Sequence, residues 1–558
     1  MQTRFRIHLL VAVSLLLFAS CKKTNKEGRY VPKDAAIAVH INGASLSTKL
    51  PWDEVKQNPL FQEMYADSTV PPFVKNALNN PDNSGIDVKT DLSFFAQKDS
   101  AGGIIGFTGT VKDAEKFRLF FLDASQGGSE NEKDGIKFIS KSPMCVGWNK
   151  ERFLLIVNAP QLDMHAYMDK QTRDLFNTCK ELFDIKESNS LGENEKFTAM
   201  VKKTGDIHFW MNSEELYKSG MNNPALSMLK LDNLYKGSIT AAAINFENGK
   251  ILMDAKSYAG KELTELYKKY GGKNIDEDMI KHLPAKDVAA VFAMSFKPEG
   301  IKEFLKLLGV EGYANMGLAF AGFGLDDFIK ANKGDIVFAL TDLKQKAVST
   351  DTSMAGMPMM ETQSNIVQPE IIFTTSIGDK DAFNLLIKAG EKLGGNLPAS
   401  VPVSYKSDGK YFAIGNIKEN VDNYIAGKAN NNFDFLSKIS GNPVGGYVNF
   451  QFILKAIESN LTKDSSAKIV YDASVKMWDN LYMKGGQYED GGISQSLEVN
   501  LMDKNTNSLK QLNQYVGLLG KLKMEQDKKH QMNDVTIDEV RPDSMSIAVP
   551  PPPVKKHK

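Results

Sequence analysis

The 558-residue chain balances 68 Lys and Arg against 68 Asp and Glu, and only seven of its basic residues are arginines. A neutral, arginine-poor chain has no basic stripe with which to neutralise phosphates, which argues against nucleic-acid binding. Hydrophobic residues at 42 % are ample for a core, and past the N-terminus no apolar run reaches the ~18 residues that a spanning helix needs.

In chain order the first element is an export signal. Arg4 and Arg6 supply a positive n-region, and Leu9 to Phe18, apolar but for Ser14, is too short to cross a bilayer but matches a secretory h-region. Ala19 and Ser20 precede Cys21, a lipobox whose leucine, Leu17, stands one step early. Residues 1–20 are therefore the expected signal peptide, and Cys21 the expected site of a diacylglyceryl thioether and, once its amino group is freed, of a third chain such as palmitate. At about 0.8 kcal/mol per buried CH₂, two or more chains hold stably, so the partner expected through this terminus is a membrane. Residues 21–29 read as a tether. Surface-displayed lipoproteins often carry an acidic run after the cysteine; Lys22, Lys23 and Lys26 are the opposite, which points to the periplasm-facing side of the outer membrane.

Beyond the tether the chain repeats itself. VPKDAAIAVHIN from Val31 resembles LPAKDVAAVFAMSF from Leu283, and SGID at Ser84 resembles FGLD at Phe323. FTGTVKDAEKFRLFF from Phe107 and FTTSIGDKDAFNLLI from Phe373 match without a gap, each a strand, a turn carrying Asp113 or Asp379, and a helix whose apolar face includes Phe117 or Phe383. RFLLIVN at Arg152 pairs with KYFAIGN at Lys410, DIHFWMNSEEL at Asp206 with GGYVNFQFIL at Gly445, and FENGKI from Phe246 with YEDGGI from Tyr488. The last pair are Asn-Gly and Asp-Gly turns, the strongest short-range hairpin signal. The same elements in the same order indicate an internal duplication, with lobe A at 30–272, a connector at 273–282 and lobe B at 283–530.

Hairpins force antiparallel neighbours, and helices returning after them cover a face, so the expected class is α+β, each lobe a mainly antiparallel sheet with helices packed on one face. In the first strand Ile37, Val39 and Ile41 are expected to point inward and Ala38, His40 and Asn42 outward. Asn212 and Glu215 read as a helix N-cap and its capping-box partner. The Ser-, Thr- and Met-rich stretch 344–368 reads as a mobile hairpin loop. A closing helix near 507–531 is long enough to bridge the lobes, and 531–558, with Pro550 to Pro553, reads as a disordered or polyproline II tail.

The chemistry-bearing residues converge on no catalytic set. The histidines after the signal, His40, His165, His208, His282, His530 and His557, form no H-E-x-x-H and no pair at helical spacing, and C-x-x-C is absent, so neither a metal nor a cofactor is expected. His40 and His208 lie on the outward faces of their strands, where they approach one another as two solvated or helix-covered imidazoles. Asn80, Asp82, Ser84, Gly85 and Asp91 fall at EF-hand loop positions, but the matching stretch at Gly324 lacks the upstream oxygens, which favours a shared glycine turn. Met354, Met357, Met359 and Met360 read as an adaptable loop rather than a Cu(I) site. The S-x-x-K pairs at Ser227, Ser407 and Ser465 lack S-D-N, and the K-T-G at Lys203 precedes them all, so no nucleophile is assigned. Cys145 and Cys179 permit a disulfide, with two buried thiols as the alternative. Ser68, Ser100 and Ser544 follow aspartates in triplets that fit an O-glycosylation acceptor pattern.

The lipobox, YVPKDAAIAVHIN and the SGID before a hairpin together resemble Bacteroidota lipoproteins grouped as domain of unknown function 4836, and the PxDA opening is similar to another broad exported family. The second lobe departs from it, reading PAKDVA. The resemblance implies a cell-envelope lipoprotein over nearly the whole mature chain and transfers no catalytic residue. The expected function is a lipid-anchored envelope protein with a non-enzymatic binding or scaffolding role, in the cleft between lobes; the alternatives are an envelope hydrolase with a site assembled from distant residues, or a carrier of an apolar ligand.

Overall fold

The computed structural model describes residues 27–99, 101–162, 173–217, 229–350, 362–394, 403–461 and 465–538. Cys21, Ser100, Ser544, the methionine cluster, His165 and His557 lie outside these residues. The first half carries strands β1 (Ile37–Asn42), β2 (Asp91–Gln97), β3 (Ile104–Thr110), β4 (Ser129–Lys133), β5 (Ile136–Lys141), β6 (Met144–Trp148), β7 (Arg152–Asn158), β8 (Ile207–Asn212), β9 (Ile239–Glu247) and β10 (Lys250–Tyr258). The second carries β11 (Ala290–Ser295), β12 (Asn332–Thr350), β13 (Thr362–Ile377), β14 (Ser404–Ser407), β15 (Tyr411–Gly415), β16 (Val444–Asn449), β17 (Trp478–Glu489) and β18 (Gly492–Leu501). With its helices, the chain is α+β.

Every strand pair is antiparallel. In space the first half runs β4-β5-β6-β7-β3-β2-β1-β8-β9-β10. The second runs β14-β15-β13-β12-β11-β16-β17-β18. The two runs meet edge to edge: β10 pairs with β18 from Lys250↔Asn500 to Ser257↔Ile493. Among the described residues one sheet of 18 strands results. Pairing hides two edges that would otherwise offer open hydrogen-bonding groups, and it replaces the expected cleft between lobes with a continuous ladder.

Eleven helices matter below. In the first half they are α1 (Gly43–Lys49), α2 (Pro59–Ala66), α3 (Ala114–Ala124), α4 (Leu175–Phe183) and α5 (Glu195–Val201). In the second they are α6 (Glu277–Lys281), α7 (Glu299–Leu307), α8 (Glu311–Ala321), α9 (Leu325–Ala331), α10 (Lys380–Gly394) and α11 (Ser508–Asp538). Asp113 caps α3 by accepting from the amides of Glu115 and Lys116, and Asp379 accepts from Ala382 at the start of α10. Phe117 and Phe383 are buried as their spacing predicts.

Helices cover both faces of the sheet, not one. Phe95, Ile104, Leu154, Ile156 and Trp210 pack with Cys179 and Phe183 of α4 and Phe197 of α5. The alternate residues Val146 and Phe153 pack with Phe117 and Phe121 of α3 on the other face. The run Phe153-Leu154-Leu155-Ile156 carries this signal, because a strand buried on both sides does not alternate. For the same reason the first strand inverts the expected pattern: Ala38 and His40 are the buried residues, and Ile37, Val39 and Ile41 are half-buried on the opposite face.

Three boundaries also move. The expected connector contains α6, whose Met279 and Ile280 are fully buried in the second core, so it is not a linker. The expected mobile loop is mostly ladder: β12 and β13 stay paired as far as Thr350↔Thr362, because its Val, Ile and Thr residues favour strand over loop. The closing helix continues to Asp538 and reaches the first half, where Asn58 Nδ2 donates to Asn513 Oδ1 at 2.8 Å and Lys510 meets Glu54 at 2.5 Å.

Candidate functional site: a histidine pair beneath a polar pocket

β1 and β8 are neighbours whose register sets His40 directly opposite His208. Both side chains point to the face covered by α5; they are 4 % and 3 % exposed, and their Nδ1 atoms lie 3.1 Å apart. His208 Nε2 is 3.0 Å from the carbonyl oxygen of Lys203, which only accepts, so this nitrogen carries the hydrogen. A neutral His208 then offers a lone pair at Nδ1, and His40 Nδ1–H donates to it. Burial pushes the His208 imidazole below its usual pKa, while the Lys203 carbonyl pulls the other way. The turn bearing that carbonyl sits close: a Cβ on Gly205 would lie 2.5 Å from His208 Nε2, so the position requires glycine.

The hydrogen-bond chain ends at His40 Nε2, which is buried and has no hydrogen-bond partner among the described residues. Asp91 Oδ2 stands 3.7 Å away, too far for a direct bond. Both groups line a cavity of about 180 Å³ and an adjoining one of about 670 Å³, together with Glu27. The smaller is walled by Asp206, which is 1 % exposed and fully engaged: it accepts from Ser45 Oγ at 2.5 Å, Lys49 Nζ at 2.6 Å and the Phe246 amide at 2.6 Å. These contacts pin α1 against the start of β8 and the end of β9. The larger is walled by Ser93, Thr108, Thr110 and Arg152. Arg152 lies between the rings of Tyr30 and Phe183, 3.8 and 3.6 Å from their centroids, and donates through Nη2 to the Phe183 carbonyl. Its Nη1 has no partner, and burial pushes its pKa down to about 10.

The site can hold a proton or accept hydrogen bonds from a guest; among the described residues no hydroxyl or thiol hydrogen-bonds to the imidazoles. Sequence spacing brought the two histidines into view but placed them outward. That Asp91, Asp206, Lys49 and Arg152 gather around them is not legible in the sequence, since their convergence depends on which strands pair. The residues at EF-hand spacing do not converge: Asn80 caps a 3₁₀ turn, Asp82 pairs with Lys112 at 2.6 Å, and Asp91 faces His40. The glycine turn is not shared either: Gly85 is left-handed at φ +73° and Gly324 extended at φ −100°.

Cys145 on β6 and Cys179 on α4 are neighbours that stand as free, fully buried thiols. The hydrogen bond between them, reinforced by burial, pushes the Cys179 thiol up. Ser68 is exposed beside an aspartate turn in which Asp67 accepts from the Thr69 amide at 2.8 Å. Among the described residues no cluster of three metal-binding side chains occurs, and no helix is long and apolar enough to cross a membrane.

The chain belongs to the family described as Domain of unknown function (DUF4836), whose model matches residues 29–368. That span includes the histidine pair and its cavities. No curated protein matches. Among solved structures, crystal form IV of TP0453 is similar at 11 % identity and a TM-score of 0.26, over 41 % of this chain and 79 % of that one. Crystal form I of the same protein gives 10 % and 0.25, over 43 % and 81 %. Both likenesses are too distant to carry an argument.

Proposed function

We propose that this chain is a lipid-anchored protein of the bacterial cell envelope, facing the periplasm from the outer membrane, which binds a small ligand rather than transforming one. The anchor rests on the lipobox at Cys21. The binding role rests on one observation, the orphaned Nε2 of His40 beside the Asp91 carboxylate. In the neutral pair both are acceptors, and a buried acceptor without a partner costs about 1–3 kcal/mol. A guest that donates hydrogen bonds, through hydroxyl or ammonium groups, satisfies both. A cavity of about 670 Å³ is in the range of small-molecule sites.

On this reading the halves are duplicates. Apart from the β4–β5 hairpin, which has no counterpart among the described residues of the second half, the two share one order of strand connections. When FENGKI is laid on YEDGGI, Asp254 corresponds to Ser496, and these two residues pair with each other at the seam, as the centre of a local twofold would. The ladder position of His40 and His208 holds Ala293 opposite Gly445 in the second half, so the pocket belongs to the first copy alone.

The test has two arms. Metabolic labelling with a palmitate analogue should mark the wild-type chain and not Cys21→Ala; equal blankness overturns the anchor. Titrating low-mass envelope extract into ¹⁵N-histidine-labelled protein should move the His40 Nε2 resonance in the wild type and not in Asp91→Asn; an unmoved resonance overturns the binding role.

A further inference from the structure

Helix α8 stands off the body of the protein. Tyr313 and Met316 are each 56 % exposed and Phe320 is 82 % exposed, the most open large apolar side chain among the described residues. Their spacing of three and four places them on one stripe. Scattered exposed apolar residues are ordinary, but a stripe more than half open marks an interaction surface. The helix carries one charged residue, Glu311, at its first position, and then turns at Gly322 in the left-handed conformation. A Cβ at Gly312, Gly317 or Gly322 would meet nothing within 4 Å among the described residues, so these three positions of the finger stand open. It is nonetheless held: Asn315 Oδ1 accepts from the Leu325 amide at 3.1 Å, tying α8 to α9.

We propose that the α8 finger dips into the apolar boundary of a lipid bilayer, with Phe320 leading. The shape chooses the partner. A convex tip presents no pocket and would need a matching hole in a protein, whereas a fluid acyl phase closes around it. At ~1.5 Å per residue the 11-residue helix is about 16 Å long, roughly half of a hydrocarbon core, so it enters one leaflet and does not span. Near its base Lys302 pairs with Asp326 at 2.7 Å and Lys306 with Glu303 at 2.9 Å, and the helix itself carries no cation. The attraction of the tip is therefore apolar, and neutral lipid suffices. The inference leans on the proposed anchor in one respect: a chain tethered at its N-terminus needs only a weak second contact to lie down on the membrane.

The test uses the full-length mature chain with Cys21→Ala and Phe320→Cys labelled with an environment-sensitive fluorophore, since Cys145 and Cys179 are buried. Neutral phosphatidylcholine vesicles should raise and blue-shift the emission, nitroxide groups on upper acyl carbons should quench it, and raised salt should leave it unchanged. In the chain with its native Phe320, Phe320→Asp should weaken vesicle co-flotation on the order of tenfold. An emission unmoved by vesicles, or moved by envelope proteins and not by vesicles, overturns the proposal. Failed palmitate labelling with intact vesicle insertion would remove the anchor and leave the finger standing, so the two failures are distinguishable.

Discussion

His40 and His208 face each other across β1 and β8 with their Nδ1 atoms 3.1 Å apart, and the Lys203 carbonyl fixes which of the four ring nitrogens bears the hydrogen at its far end. Two imidazolium rings would aim hydrogens at each other, so this pair holds at most one extra proton.

A first consequence is a pH dependence of stability. The folded-state pKa of His208 is depressed from 6.5, so below that value the unfolded chain takes up a proton that the folded chain does not. Stability from this group is present above about pH 6.5 and is lost as pH falls toward the folded value. Urea midpoints should decline from pH 7 to 5, and His208→Gln should flatten that decline.

Asp206 and Asp91 should separate structure from binding. Asp206→Asn weakens three short bonds to a fully buried carboxylate and leaves the Lys49 charge unpaired, which should cost about 2–3 kcal/mol in urea denaturation. Asp91, whose side chain is 49 % exposed, makes no direct bond to His40, and Asp91→Asn should change stability by less than about 0.5 kcal/mol.

The two glycines of the SGID and FGLD stretches should respond differently to alanine. At Gly85 a Cβ would lie 2.3 Å from the Phe117 amide nitrogen and 2.4 Å from the Asp113 carbonyl, in a left-handed backbone, so Gly85→Ala should cost more than about 2 kcal/mol. At Gly324 the nearest atom is 3.5 Å away and the backbone is extended, so Gly324→Ala should be close to neutral by thermal denaturation.

Cys145 and Cys179 should be silent to a thiol reagent in the folded Cys21→Ala chain and should both react once it is denatured. One reactive thiol in the native state would contradict their burial.

The β10–β18 seam makes each half a patch for the other. Residues 27–272 expressed alone should expose β10 as an open edge and self-associate in sedimentation, and co-expression with 273–538 should restore a one-to-one species.

Local chemistry made much of this legible beforehand. The Asp113 and Asp379 caps, the hairpin turn at Asp490 and Gly491, both at positive φ, and the Asn212 cap, which accepts from the Glu215 amide at 3.4 Å, depend on residues a few positions apart. The errors have a common origin. Which face of β1 is buried depends on α4 and α5, more than a hundred residues downstream, and the long β12–β13 arm forms where two stretches with Val, Ile and Thr pair with each other, a partnership that neither stretch shows by itself.

Sequence alone determined the hairpin turns and the helix starts, because each is governed by short-range sterics and hydrogen bonding between near neighbours. Tertiary structure decided that two sheets become one, that His40 is buried against His208, and that Asp91, Asp206 and Arg152 gather around them. Those outcomes depend on register and on contacts across more than a hundred residues, where no local propensity acts and burial is shared among elements that meet only in the folded chain.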